Sequence, residues 1–208
     1  MDIQFYGANC LVVTYKGTRF VIDDNLAVLG GKSILKADDI ALFTGEHAKA
    51  KLPARLMFDH PGEYEVSDVS LVGVAAQAHI DEPGTKKATM FKLAAGDLSL
   101  LFVGHIFPNI TDAQLEMIGR VDVMFVPVGG NGYTLDAVGV LKVIKEVEPK
   151  LIVPTHYADK SLDFPMPQQD LAHVLKELSM EPKETVSKLK LKAGELGEVT
   201  QLVVLEKS

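Results

Sequence analysis

The chain has 208 residues, 47% of them hydrophobic and 24% charged; this balance excludes disordered, collagen-like and coiled-coil classes and leaves room for one large core. Its 28 acidic against 21 basic residues give a formal charge of −7, the wrong sign for a general nucleic-acid binder. No apolar run approaches the ~18 residues of a membrane span, and a single cysteine, Cys10, excludes an intrachain disulfide or a Cys₂ zinc site.

In chain order, Ile3 to Tyr6, Cys10 to Tyr15 and Thr18 to Asp23 are short β-rich runs, and Lys16-Gly17 joins the last two as a hairpin. Asp39 to Thr44 is a continuous apolar run, expected as a buried strand. Gly45 to Pro53 is polar, Arg55 to Asp59 returns to strand character, Pro61-Gly62 is a turn, and Val69 to Ala75 is a further strand. Thr89 to Ala94 and Leu98 to Val103 flank Ala95-Gly96-Asp97 as a second hairpin. Thr111 to Gln114 forms a capping box that opens a short helix closed by Gly119. Val121 to Val128 is an apolar strand. Thr134 is expected to cap a longer amphipathic helix that Pro149 ends, followed by a strand at Lys150 to Pro154. Pro167 to Met180 reads as a third amphipathic helix, and Val186 to Lys192 and Glu198 to Glu206 as two strands around a glycine-containing turn. Strands first, then strands alternating with helices, predict two sheets with helices packed outside them, an α/β sandwich of four layers, αββα, over residues 1–208 as one domain. With no basic-then-apolar N-terminal segment, the expected compartment is the cytoplasm.

Six histidines are present, and four of them, His47, His79, His105 and His156, fall just beyond strand ends, where loops gather and α/β sites form. Histidine titrates near neutrality and is the commonest metal ligand. His173 lies inside an amphipathic helix and receives no role. Gly129-Gly130-Asn131-Gly132 lacks the Lys-Ser/Thr ending of a P-loop, so a loop needing positive φ is the simpler reading. Cys10, in an apolar strand, reads as an inert buried thiol. Lys188 to Lys192 alternates with strand period, as an edge strand with one basic face does.

Several segments together resemble the metallo-β-lactamase superfamily, in particular its small ascorbate-phosphate-lactonase-like branch of metal-dependent hydrolases. They are Tyr6-Gly7-Ala8-Asn9-Cys10, Phe20-Val21-Ile22-Asp23, His60-Pro61-Gly62-Glu63-Tyr64-Glu65-Val66, Val121 to Gly130, and Pro149 to Tyr157. The resemblance implies an αββα fold and a two-metal hydrolase centre. The family follows its fourth strand with Thr-His-x-His-x-Asp-His; the same place here reads Thr44-Gly45-Glu46-His47-Ala48-Lys49-Ala50. By that match only His47 remains of the motif. His79 takes the place of the next ligand histidine, His105 that of the bridging aspartate, and His156 that of the final histidine. The family's N-terminal Gly-His is Gly7-Ala8.

The resemblance thus implies a dismantled two-metal centre. Glycine and alanine offer no donor, and the Lys49 ammonium repels a divalent cation. His47, His79 and His105 around an open position would still suit a single zinc or manganese ion and acidify its water, with Glu46, Asp81 or Glu82 as substitute acid/base groups. Two classes stay open: a one-metal hydrolase of a small ester, lactone or phosphorylated compound, and a non-catalytic descendant of the fold with no metal. The second keeps either the pocket for a small-molecule ligand or the surface for protein association; for a small molecule the candidate contacts are Lys49, Gly130, Asn131 and Tyr157, and Tyr133 and Tyr157 either point into that pocket or cover the sheet edge. Neither engages nucleic acid or membrane; a homo-oligomer stays open.

Overall fold

The computed structural model describes residues 1–45 and 52–208, so His47, Lys49, Glu46 and Ala50 lie outside the described residues. Two mixed β-sheets face each other. The first runs in the order β13-β1-β2-β3-β4-β5, from β1 (Asp2–Gly7), β2 (Cys10–Tyr15), β3 (Thr18–Ile22), β4 (Ile40–Leu42), β5 (Leu56–Phe58) and β13 (Leu189–Lys190). The second runs β12-β14-β11-β10-β9-β8-β7-β6, from β6 (Gly62–Val66), β7 (Val69–Ala76), β8 (Ala88–Ala95), β9 (Leu98–Phe102), β10 (Val123–Pro127), β11 (Leu151–Thr155), β12 (Glu184–Val186) and β14 (Gln201–Leu205). Strands β9, β10, β11 and β14 are parallel neighbours. Each is buried on both faces, which is why they read as unbroken apolar runs.

The core between the sheets is built from alternate residues of both. Ile3, Phe5, Leu11, Phe20, Ile22, Ile40 and Leu42 meet Leu71, Phe91, Leu93, Phe102, Phe125 and Val153. A second apolar layer covers the outer face of the eight-stranded sheet, where α1 (Asp112–Ile118), α2 (Ala137–Val147) and α3 (Leu171–Leu178) supply Ile118, Val140, Val143, Val174 and Leu178. The outer face of the six-stranded sheet is covered differently. Cys10, Val12, Val21, Ala41 and Phe43 pack under Leu26, Leu35 and Leu162, which belong to a short 3₁₀ turn (Leu26–Leu29) and to irregular segments. The four-layer sandwich is therefore present, with the α-helices of the described residues gathered on one side.

Several element boundaries move for physical reasons. Val186 to Lys192, expected as one strand, divides: β12 pairs with β14 in one sheet and β13 pairs with β1 in the other, so the chain changes sheets between them. The tail is thus no hairpin, since β12 and β14 are parallel. The longer helix starts after Asp136, whose side chain accepts from Gly139 N at 2.8 Å, instead of after Thr134. The third helix starts after Asp170, which accepts from His173 N, and Pro167 stays outside it. A hairpin joining β6 and β7 turns on Ser67 and Asp68, both with positive φ (53° and 61°). That left-handed pair is usually written Asn-Gly, which is why the turn is hard to read in sequence. The Thr111–Gln114 capping box and the two expected hairpins are as read.

Candidate functional site

The histidines are brought together by strand ends. His105 follows β9 after Val103-Gly104, His79 follows β7, and His156 follows β11. The backbone then fixes their spacing. His79 N donates to His105 O at 2.7 Å, and Phe107 N donates to Gln77 O at 2.8 Å, so the two exit segments run side by side. His156 N donates to Ala8 O at 2.7 Å, which ties the β11 end to the β1–β2 turn of the opposite sheet. His156 itself holds a left-handed conformation (φ 53°), a costly backbone for a residue other than glycine and one that clusters at sites.

Gly104 and Gly129 make the close approach possible. A Cβ on Gly104, whose φ is +66°, would lie 2.4 Å from Thr44 Oγ1. A Cβ on Gly129 would lie 2.0 Å from Gln168 Oε1 and 2.3 Å from His156 O. Within the six-stranded sheet Asp23 accepts from Thr44 N at 2.7 Å and from Thr44 Oγ1 at 2.6 Å, and across the sheets Thr44 O accepts from Thr89 N at 2.8 Å. This linkage clamps the end of β4 to β8 and positions the start of the Thr44–Gly45 segment.

The result is a cavity of about 630 Å³ that His79, His105 and His156 share. The His105 and His156 rings meet edge to face with centroids 4.5 Å apart. Tyr133 lies 5.1 Å from His105 and 5.8 Å from His156, and Phe164 5.0 Å from His156, so aromatic surface surrounds the pair. Gln168 Oε1 lies 3.1 Å from His156 Nδ1. Two ring nitrogens, His79 Nδ1 and His105 Nε2, are buried with no hydrogen-bond partner among the described residues. Native structures seldom leave such groups unmatched. Burial lowers the His156 pKa to about 4, against the raising effect of the Gln168 bond. Burial, then the neighbouring His156 and His79, pushes His105 well below the ordinary value. Both imidazoles are therefore neutral at pH 7, the form that offers a lone pair.

Other candidates occupy different places. Gly130 and Asn131 take the positive φ expected of their loop (64° and 56°), but they face the segment before α3. A Cβ on Gly130 would meet Gln169, and Asn131 Nδ2 donates to Pro167 O at 2.6 Å. The loop reaches the cavity wall through Tyr133 instead. Tyr157 is turned the other way. Its hydroxyl donates to Leu205 O at 3.3 Å, its ring packs on Phe5, and it lines a separate cavity of about 260 Å³ with Asp159 and Lys207. Burial raises its phenol pKa to about 12. Asp81 lines the histidine cavity, accepting from Ala78 N at 3.2 Å and standing 3.7 Å from the Lys87 ammonium. Cys10 is fully buried, and burial followed by Asp24 and Asp23 pushes its thiol pKa well up, as an inert thiol requires.

Two wall residues carry more than the sequence reading gave them. Asp23 was legible only as the end of an apolar run; its role as the Thr44 acceptor needs the neighbouring strand. Asn9, one polar residue in the apolar stretch Ala8 to Val13, received no role, and that interruption was the signal. It is 6% exposed, lines the cavity, and accepts from Thr155 Oγ1 at 2.8 Å through Oδ1, while its Nδ2 has no partner among the described residues.

A family model described as a β-lactamase superfamily domain matches residues 2–156. The chain belongs to the metallo-β-lactamase superfamily. Within it, a UPF0173 protein of Pyrococcus furiosus is 26% identical over 184 residues, 77% of this chain and 85% of the relative. A UPF0173 metal-dependent hydrolase of Carboxydothermus hydrogenoformans is 36% identical over 67 residues, 32% of this chain and 29% of the relative. Among solved structures, a proposed zinc-dependent hydrolase of the superfamily from Thermotoga maritima superposes with a TM-score of 0.74 at 26% identity, covering 99% of this chain and 98% of that one. Against this background the donor inventory is sparse. Among the described residues, no three His, Cys, Asp or Glu side chains are arranged to hold a metal ion. Likewise, no helix among the described residues is long and apolar enough to cross a membrane.

Proposed function

We propose that this superfamily member is a hydrolase-type protein whose two-metal centre is dismantled. It holds at most one zinc or manganese ion and acts on a small ester, lactone or phosphorylated compound. The observation that carries this reading is the pair of buried imidazole nitrogens, His79 Nδ1 and His105 Nε2, without a partner among the described residues, in a cavity also lined by Asp23, which is bonded to Thr44. Imidazole nitrogens left without a hydrogen-bond partner suit one borderline-soft cation. With Gly45 and Ala50 supplying no donor and Lys49 supplying a positive charge, they do not suit two.

His79 and His105 would hold the ion, and His47, two residues past Gly45 in sequence and outside the described residues, would be the third ligand. When bound, such an ion acidifies its water towards neutrality. The chain's own residues do the rest. Burial keeps His156 neutral, Gln168 orients its ring, Tyr133 and Phe164 pack around it, and the Asp23–Thr44 linkage holds the end of β4, where Gly45 lines the cavity. A non-catalytic, ligand-binding descendant is the second reading, favoured by the engagement of His156 Nδ1 with Gln168 and by the lack of a three-ligand group among the described residues.

The test is a reversion. Gly45→His, Lys49→Asp, Ala50→His and His105→Asp are made together, and metal per chain is measured beside the parent. The expected result is a gain from at most one ion to about two, with esterase or phosphodiesterase activity rising with it. A parent already carrying two ions, or a quadruple variant with no added metal, overturns the reading.

A further inference from the structure

We infer that Asn9 is a ligand-binding residue, its side-chain amide donating to the carbonyl oxygen of an uncharged ligand whose apolar substituent rests on Val28 and Ile80 at the cavity mouth. The inference rests on the cavity being the ligand site, as in the proposed function, and it selects within the substrate classes given there.

Three independent observations carry it. Asn9 is 6% exposed, it lines the cavity, and its Nδ2 has no partner among the described residues, although its Oδ1 is already engaged by Thr155. A buried amide donor left unmatched costs free energy that an incoming acceptor recovers. The mouth is apolar: Val28 is 64% exposed and Ile80 is 70% exposed, and both line this same cavity with Leu29 and Pro165. Large aliphatic side chains so exposed, around a concave floor holding a few polar groups, mark a small-molecule pocket for a ligand with an apolar part.

The charges point the same way. Asp23, Asp81 and Asp163 all line the wall, and Lys87 is the one cation among its described residues, standing beside Asp81. A phosphorylated ligand would bring its charge against three carboxylates. An ester or amide brings none, and its carbonyl oxygen is the acceptor that the Asn9 amide lacks.

The experiment uses two probes with the same chain and different heads, N-hexylacetamide and hexyl phosphate. Binding is measured by calorimetry to the protein as purified. The amide is expected to bind about tenfold or more tightly than the phosphate. Asn9→Asp keeps the acceptor for Thr155 and removes the donor, so it should weaken amide binding by about tenfold. Val28→Asp with Ile80→Asp changes exposed side chains only and should also weaken the amide; it decides the matter if Asn9→Asp does not fold. Equal or tighter binding of hexyl phosphate, no binding of the amide to the parent, or unchanged amide affinity in a folded Asn9→Asp protein overturns the inference. None of these readouts requires turnover, and metal content is measured separately, so failure here is distinct from failure of the one-metal reading.

Discussion

Replacing Gly129 by alanine is expected to lower the melting temperature by roughly 5–10 °C, the scale of a severe overpacking in a chain of this size. The methyl group would stand 2.0 Å from Gln168 Oε1 and 2.3 Å from His156 O. The glutamine can swing aside, although it then leaves His156 Nδ1. The His156 carbonyl is backbone at the end of β11 and cannot yield without moving the ring away from His105. Gly132→Ala is the internal control. Its φ is +73° and nothing lies within 4 Å of the added methyl, so only the conformational cost applies, about 1 kcal/mol. Thermal melts of the three proteins check this. A Gly129→Ala protein melting with the parent, or no lower than Gly132→Ala, would show that the β10–β11 ends do not approach as described.

Stability is also expected to fall as the solution is acidified between pH 6.5 and 5. The His156 pKa is lowered to about 4 and that of His105 is lowered as well, so the unfolded chain binds protons through this window while the folded chain does not. Stability therefore rises with pH here and is complete above the unfolded value of about 6.5. From His156 alone the loss by pH 5 is on the order of 2 kcal/mol, with His105 adding in the same direction. Urea denaturation in the presence of a chelator, at half-unit steps, reads this slope free of metal linkage. His105→Gln should flatten it. Stability that is level or increases towards pH 5 would place these rings in a more solvated setting than the cavity provides.

The sheets were legible because their strands announce themselves. Val121 to Val128 and Lys150 to Pro154 read as apolar strands, and Lys16-Gly17 marks a hairpin; that the two strands are parallel neighbours at the middle of the sheet is seen only in the fold. What escaped depended on partners far along the chain. Nothing local distinguishes Thr134 from Asp136 as a cap; the choice follows from where Leu135 and Ala137 must be buried. The division of Val186 to Lys192 depends on which sheet each end meets. At the site, His79, His105 and His156, each placed after a strand, line one cavity, since strand ends of one sheet open on one side. The same logic misplaced Tyr157. It adjoins His156, but the left-handed turn at His156 sends the next side chain towards Phe5 and Leu205. Asn9 was visible only as a polar break in an apolar run, and its meaning needed the Thr155 bond and the cavity on its other side.

The most direct test of a dismantled centre is the metal content of the parent protein. Purified without chelator and dialysed against micromolar zinc and manganese, it should carry no more than one tightly held ion per chain by elemental analysis and native mass spectrometry, and His79→Ala with His105→Ala should abolish that ion. Two ions per chain in the unaltered protein would contradict the account.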